Sequence, residues 1–408
     1  MDKIFEYLNN VNLGYYRDIE KIYVLGDIHG DLNKFLSFLK SINIIKSSSF
    51  PDDYDVYKHC EDIKKLNEDI IRYIKFDDEH LTSLQNMCIV QLGDITDGHL
   101  NCKMINNKYF DFSKVKFINN DIAIYAVINA IMKKFKELKN NCHFVLILGN
   151  HDMENIFDII GIKNKAKYVQ CKHSHSNPLF NAWGNYILNK DELTINDEYI
   201  KKALTYYKLL TRYLYLTKYF DIVHKTYLIV QINDDKVFSH TVIYKPIIEE
   251  IREKIHKIKL SNPNNLIGYI NAVLKYCMLK ISKHESITSS DINEIIHKIK
   301  DDKDVENFVI DKLHDATQVE SYKALNENAA ITHKDIKHYF MGHEIQRYIN
   351  KVKTSMFDLY RVDIGLSSSA YDIDTKNKPY YIMIDELDKI KPIKNCNDIE
   401  CNNIIQDI

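Results

Sequence analysis

Short apolar runs that each break off at a glycine or histidine followed by polar residues dominate this sequence. Lys21-Ile22-Tyr23-Val24-Leu25 runs into Gly26-Asp27-Ile28-His29-Gly30, and Cys88-Ile89-Val90-Gln91-Leu92 runs into Gly93-Asp94-Ile95-Thr96-Asp97-Gly98. His143-Phe144-Val145-Leu146-Ile147-Leu148 meets Gly149-Asn150-His151-Asp152. Tyr227 to Ile232 and Lys236-Val237-Phe238 flank Asp234-Asp235 as a hairpin that delivers Ser239-His240, and His338-Tyr339-Phe340-Met341 leads to Gly342-His343. Runs of this length bounded by polar loops predict buried strands. In open α/β sheets ligand sites collect beyond the carboxyl ends of strands, so these loops are expected to converge.

Between the strands the pattern turns helical. Leu32 to Leu39 and Ile122 to Leu138 carry apolar residues at helical spacing. Residues 47–86, charged and Tyr-rich, read as an insertion with a turn at Pro51-Asp52-Asp53. Residues 155–224 and 246–335 read as largely helical insertions, the latter interrupted at Asn262-Pro263-Asn264-Asn265 and at the N-cap signal Ser289-Ser290-Asp291. The expectation is one α/β domain across residues 1–408, with the insertions forming a helical cap beside the strand core.

The 55 basic and 57 acidic residues leave a formal net charge of -2, so no global field recruits nucleic acid or a membrane surface. The eight cysteines are scattered without a CxxC, and the opening Met1-Asp2-Lys3-Ile4-Phe5-Glu6 is not a secretory signal. No stretch reaches the ~20 apolar residues of a membrane helix. The chain therefore reads as a cytoplasmic protein with reduced thiols. Heavy use of Lys, Asn, Ile and Tyr fits an AT-rich genome, and the cytoplasm would be a host's if the source is viral.

Asp27 and His29, two apart at a strand end, can chelate one ion together. Asp94 follows a second strand, where it could bridge to another ion. Asn150 offers a neutral carbonyl oxygen, and His240 and His343 offer imidazoles. Gly26, Gly93, Gly149 and Gly342 each precede a ligand candidate, where a sharp turn or close backbone approach would be needed. Such a set suits a two-metal hydrolytic site, in which ions ~3.5–4 Å apart clamp the attacking and leaving oxygens of a phosphoryl transfer.

These blocks, in this order, resemble the calcineurin-like metallophosphoesterases. Within them the chain is similar to the bacterial-like (Shewanella-like) phosphoprotein phosphatases. Asn155 follows Gly149-Asn150-His151-Asp152-Met153-Glu154 as in a GNHExMN pattern, and Gly342-His343-Glu344-Ile345-Gln346 with Arg361-Val362-Asp363-Ile364-Gly365-Leu366-Ser367 resembles a GHTxQ…RxDxGxS ending. The resemblance implies a four-layer α/β/β/α sandwich of two mixed sheets. It implies that Asp27, His29 and Asp94 bind a first metal, and that Asp94, Asn150, His240 and His343 bind a second. It also implies a bridging hydroxide as nucleophile, His151 as general acid and Asp97 as the carboxylate that orients it. Manganese is the expected metal, with iron or zinc as alternatives.

Two arginines of the family pattern are absent, with Gly98 and Leu148 in their places, and the GNHE glutamate is Asp152. Metal binding thus looks intact while phosphate binding looks remodelled. Between His240 and His343 the one arginine is Arg252, and Lys323 is the position compared with a missing phosphate-binding arginine. Asp363 reads as a hydrogen-bond partner of the last strand, and Cys171-Lys172-His173-Ser174-His175 as a solvated loop. The expected activity is phosphomonoester hydrolysis, first on phosphoserine or phosphothreonine of proteins or on a small phosphoester. Hydrolysis of a dinucleoside polyphosphate and a metal-binding scaffold without turnover are the alternatives. Intact His151 and Asp97 favour turnover.

Overall fold

A computed structural model describes residues 12–50, 70–96, 121–157, 225–254, 266–282, 305–325, 329–330, 335–346, 349–363, 379–394 and 406–407. Its strands run in chain order as β1 (Tyr15–Tyr16), β2 (Lys21–Leu25), β3 (Ile45–Ser48), β4 (Ile74–Phe76), β5 (Met87–Gln91), β6 (His143–Leu146) and β7 (Ile229–Ile232). Then follow β8 (Lys236–Ser239), β9 (His338–Met341), β10 (Asn350–Lys353), β11 (Asp358–Arg361), β12 (Pro379–Ile384), β13 (Ile390–Lys394) and β14 (Gln406–Asp407). The helices are α1 (Leu32–Ser41), α2 (Asp78–Ser83), α3 (Asp121–Leu138), α4 (Asn150–Phe157), α5 (Lys245–Lys254), α6 (Leu266–Ser282), α7 (Val305–Ala316) and α8 (Ser321–Leu325).

The strands form two mixed sheets. One has seven strands in the order β1-β7-β8-β9-β11-β10-β14 and the other five in the order β13-β12-β2-β5-β6. Strands β2, β5 and β6 pair in parallel, as do β8, β9 and β11. Four residues of β2 and all five of β5 are buried, as expected of parallel strands covered on both faces. The sheets meet along a seam where Leu148 N–H donates to the Tyr227 carbonyl at 2.8 Å and Tyr227 N–H to the Leu146 carbonyl at 2.9 Å.

Helices cover the outer faces. In α1, Leu32, Phe35, Leu36 and Leu39 occupy one i, i+3, i+4, i+7 stripe and are buried. The Asp31 carboxylate caps the helix by accepting from Lys34 N–H at 3.0 Å. Helix α3 packs on β6 of the five-stranded sheet, and α1 reaches the same sheet through Phe35 on Phe144 and Phe38 on Tyr381. Helix α6 lies over β7 of the other sheet, and α7 packs on α4, α5 and α6. This is the expected four-layer α/β/β/α sandwich of two mixed sheets.

The ends of the 47–86 stretch differ from a simple excursion, because β3 and β4 pair antiparallel and close its base, with Ile45 opposite Phe76. Within 246–335, helices α5, α6 and α7 carry fully buried side chains such as Ile251, Val273 and Leu313. The two breaks expected there, nearly all of 155–224 and the Cys171–His175 loop lie outside the described residues. Among the described residues no helix is long and apolar enough to cross a membrane.

Asn271 shows how α6 is fastened to the sheet. Its Oδ1 accepts from Leu228 N–H at 2.9 Å, and its Nδ2 donates to the carbonyls of Ile229 at 2.7 Å and Leu13 at 2.8 Å. Asn271→Ala leaves these buried backbone groups without that partner, and is expected to cost on the order of 2–4 kcal/mol. Urea unfolding of the variant beside the wild type measures it, and a loss below about 0.5 kcal/mol would show that the amide does not fasten the helix.

Candidate metal centre

Beyond the carboxyl ends of β2, β5, β6, β8 and β9 the five polar clusters come together. The loops after β2 and β5 are zipped by backbone bonds, with Ile28 and His29 N–H donating to the Asp94 carbonyl at 3.1 and 2.8 Å and Gly30 N–H to that of Ile95 at 2.7 Å. Three ligand candidates, His29, Asp94 and His343, have φ of 47°, 50° and 65°. Non-glycine residues in this left-handed region persist only where their surroundings hold them.

Three of the glycines before the ligands are required by contact. A Cβ on Gly149 would strike Asp94 Oδ1, and one on Gly342 would strike Asp27 Oδ1. At Gly93, which also has φ of 103°, a Cβ would lie 2.6 Å from both the Gly149 nitrogen and His240 Nδ1.

Asp94 stands at the middle. Its Oδ1 accepts the His151 N–H at 2.9 Å. Its Oδ2 lies 3.4 Å from His240 Nε2, 3.8 Å from His151 Nε2 and 3.9 Å from His29 Nε2. Two groups with metal-ligand spacing share it: His29, Asp94 and His151, and Asp94, His240 and His343. Asn150 Oδ1 lies 3.1 Å from both His240 Nε2 and His343 Nδ1, which are 3.2 Å apart. Asp27 joins from behind, its carboxylate accepting His343 N–H at 3.1 Å.

The donor chemistry fits a cation. His240 Nδ1 is 2.8 Å from the Leu92 carbonyl, so it must donate there and Nε2 carries a lone pair. Burial lowers His240 to about 4, so at neutral pH that lone pair faces the Asp94 carboxylate. Burial and the neighbouring His240 lower His343 to about 3. Even as a donor, its Nδ1 could serve only one of Asn150 Oδ1 and His240 Nε2. Burial, with the charges of Asp363 and Asp94, pushes Asp27 well above the ordinary carboxylate range. Electron pairs converging on one point amid buried carboxylates suit divalent ions held by oxygen and imidazole.

The structure thus brings Asp27, His29, Asp94, Asn150, His151, His240 and His343 into one site. His151 sits in the first ligand group, its ring 5.1 Å from that of His29 in an edge-on arrangement. Asp97 and Gly98 lie outside the described residues. Leu148, at the position of a family arginine, is buried in the hydrophobic core and cannot present a group to phosphate. Arg252 lies over the Tyr269 ring at 5.1 Å. Lys323 is exposed on α8, 3.7 Å from Glu320, whose charge acts on His343. Helix α8 is tied to the metal loop because the Glu344 carboxylate accepts both the Ser321 N–H and its hydroxyl.

Gln91 carries no sign in the sequence, and Asp152 and Asp363, marked there by the family motifs, have no expected part in the site. Gln91, fully buried at the end of β5, accepts from Gly93 N–H at 3.0 Å and donates to the Gly93 carbonyl at 2.5 Å. Asp152 accepts backbone N–H groups from two loops. Asp363 is buried against the site, and its charge is one of the causes that raise Asp27.

A family model described as calcineurin-like phosphoesterase matches residues 20–347. Among solved structures the chain is similar to a cold-active protein tyrosine phosphatase, with 12% identity and a TM-score of 0.42 over 95% of this chain and 82% of that one. A cold-active protein-tyrosine phosphatase of a psychrophilic Shewanella species gives 10% identity and a TM-score of 0.37 over 95% and 84%. A protein serine/threonine phosphatase from Saccharomyces cerevisiae gives 9% identity and a TM-score of 0.32 over 89% and 75%. Likeness of this degree carries no inference about substrate. Among curated proteins none matches.

Proton linkage sets how ion binding should vary with pH. Burial and the Asp94 charge raise Asp152 from 3.8 to about 7, and Asp27 is raised as well. These raised carboxylates stabilise the cation-free fold at low pH, and that contribution is lost as pH rises through about 7. His240 and His343, lowered from 6.5, are neutral both folded and unfolded above that pH and do not counteract the trend. The gain in Tm on adding saturating Mn²⁺ is therefore expected to grow between about pH 6.5 and about pH 8. Lys275, lowered by burial to about 7, has the opposite sign but cancels between the two forms. Thermal unfolding with and without metal measures the gain, and one that shrinks with rising pH would contradict this electrostatic account.

Proposed function

The chain belongs to the calcineurin-like phosphoesterases, and from that membership we propose that it hydrolyses phosphomonoesters, with phosphoserine and phosphothreonine of proteins as substrates. Membership makes it a metal-dependent hydrolase of phosphoesters. The observation that carries the proposal is Asp94, shared between two ligand groups that also include His29, His240 and His343. The motif blocks around Asn155 and from Gly342 to Ser367 support a protein substrate.

Asp27, His29 and Asp94 would hold one divalent ion, and Asp94, Asn150, His240 and His343 a second, with manganese as the expected metal. Bound divalent ions supply Lewis acidity and lower the pKa of a bound water to about 7 in favourable cases. His151 would give a proton to the leaving alkoxide, with Asp97 orienting its ring. The backbone bond from His151 N–H to Asp94 fixes where that imidazole starts. Asn150 adds a ligand without adding negative charge, which keeps the field around a phosphate dianion less repulsive. One domain carries this site, with the insertions as a helical cap beside it.

A Mn²⁺-dependent release of phosphate from phosphopeptides, abolished by chelation and absent with dinucleoside polyphosphates, tests the reading. Turnover of the dinucleotide alone would favour the nucleotide alternative, and none with either substrate would favour a scaffold. His151→Asn is expected to keep both ions yet lower kcat by about 10²–10⁴ on alkyl phosphates, and by less on aryl phosphates. Loss of an ion in this variant would make His151 a ligand.

With Leu148 in the core and Arg252 on Tyr269, the phosphate grip is assigned to Lys323 and the cap. Lys323→Ala is expected to raise KM more than it lowers kcat, because it removes binding common to ground and transition states. Kinetics on a small ester and on a phosphopeptide check this, and an unchanged KM for both would take Lys323 out of the site.

A further inference from the structure

Asp152 is a buried carboxylate to which the proposed chemistry gives no task. It lies in the first turn of α4 with none of its surface exposed. Its Oδ2 accepts the Gly149 N–H at 3.1 Å, reaching back over the helix start as the third-position acid of a capping box does. That bond is local and would serve the helix alone. Oδ1 instead turns away from the helix and accepts N–H groups of Ile95 and Thr96, both at 3.1 Å, in the loop after β5.

The link runs in both directions. From that same loop the Asp94 Oδ1 reaches across to accept His151 N–H on α4 at 2.9 Å. Asp94 and Asp152 therefore clasp the two segments reciprocally, each carboxylate on the other's backbone. The clasp spans Asn150 on one side and Asp94, at φ of 50°, on the other. It extends to a third ligand candidate, since the Thr96 carbonyl lies 3.2 Å from His29 Nδ1. Burying a second carboxylate beside Asp94 is electrostatically costly, and helix capping alone could be done by a neutral side chain.

We propose that Asp152 is a positioning residue whose clasp with Asp94 sets the spacing of Asp94, Asn150 and His29, and with it the affinity of the site for divalent cations. The proposal rests on the metal reading of this site. Outer partners of metal ligands typically change affinity or activity by about 10–100-fold when replaced.

The test is Mn²⁺ titration calorimetry on full-length, metal-stripped protein. Asp152→Asn can keep an oxygen for Ile95 and Thr96, but its NH2 would then oppose the Gly149 N–H. It is expected to raise the Mn²⁺ dissociation constant by about 10–100-fold. Asn271→Ala, remote from the centre, is the comparison for lost stability and is expected to leave that constant unchanged. Equal constants for Asp152→Asn and the wild type, or equal shifts in both variants, would overturn the proposal and reduce Asp152 to a helix cap. Should Asp152→Asn not fold, Asp152→Glu decides, since it keeps the charge and both acceptor oxygens but displaces them by about one methylene. Its dissociation constant is expected to rise several-fold, and a wild-type value would overturn the proposal. Wild-type protein that takes up no Mn²⁺ would instead defeat the metal reading beneath it.

Discussion

The burial of several carboxylates at one point is the constraint on which the rest of this structure depends. Asp27, Asp94, Asp152 and Asp363 are all buried; burial and the charges of the other three raise the pKa of Asp27, and burial with the Asp94 charge raises that of Asp152. Removing an ionised carboxylate from water costs several kcal/mol even after relaxation. Backbone N–H groups offset part of that cost: His151 donates to Asp94, His343 to Asp27, and Ile95, Thr96 and Gly149 to Asp152. What they leave uncompensated is what divalent ions can neutralise. Each of these donors lies in a loop beyond a strand end or in the first turn of the helix that follows, so the electrostatics of the site and the convergence of the strand ends are one arrangement.

Such convergence needs backbones closer than side chains allow. Gly149 and Gly342 are glycines because a Cβ would occupy the space of an Asp94 or Asp27 oxygen. The strained conformations of His29, Asp94 and His343 belong to the same geometry. Each is restrained from outside its own loop: His29 by the Asp94 carbonyl, His343 by the Asp27 carboxylate and Asp94 by its bond to α4. Strain of order 1–3 kcal/mol per residue persists where surroundings over-determine the backbone, as at a site that must be rigid before its ligand arrives.

Local chemistry was legible in the sequence, and contacts at long sequence separation were not. Strands β2, β5, β6 and β9 are uniform apolar runs, and the glycine-led clusters mark their ends. The segment from Asn350 to Lys394 holds four strands that the sequence does not announce, because Asn350-Lys351-Val352-Lys353 and Ile390-Lys391-Pro392-Ile393-Lys394 mix charge with apolar residues. Asp152 reads in the sequence as a conservative departure, since its second oxygen acts on residues 56 and 57 positions away. Leu148 reads as a lost phosphate ligand, while the structure shows a core residue at the seam between the sheets. Asn271 sits unmarked in an apolar helical run, and only the fold shows which carbonyls and N–H groups it meets.

The same electrostatics dictate an order of events under the proposed function. A phosphate dianion approaching the bare centre meets the buried carboxyl groups of Asp27, Asp94, Asp152 and Asp363, a cluster in which negative charge is already disfavoured, as the raised pKa of Asp27 and of Asp152 shows. Among the described residues no arginine answers it there: Leu148 is in the core, Arg252 lies over Tyr269, and Arg361 is 3.5 Å from the Glu344 carboxylate. Like charges at such separations repel strongly in a medium of low dielectric. Under the proposed function the cations would therefore bind before the phosphate, and substrate affinity would be contingent on metal occupancy. In the proposed role the exposed Lys323 would draw a phosphoester toward the site without reversing the sign of the field inside it.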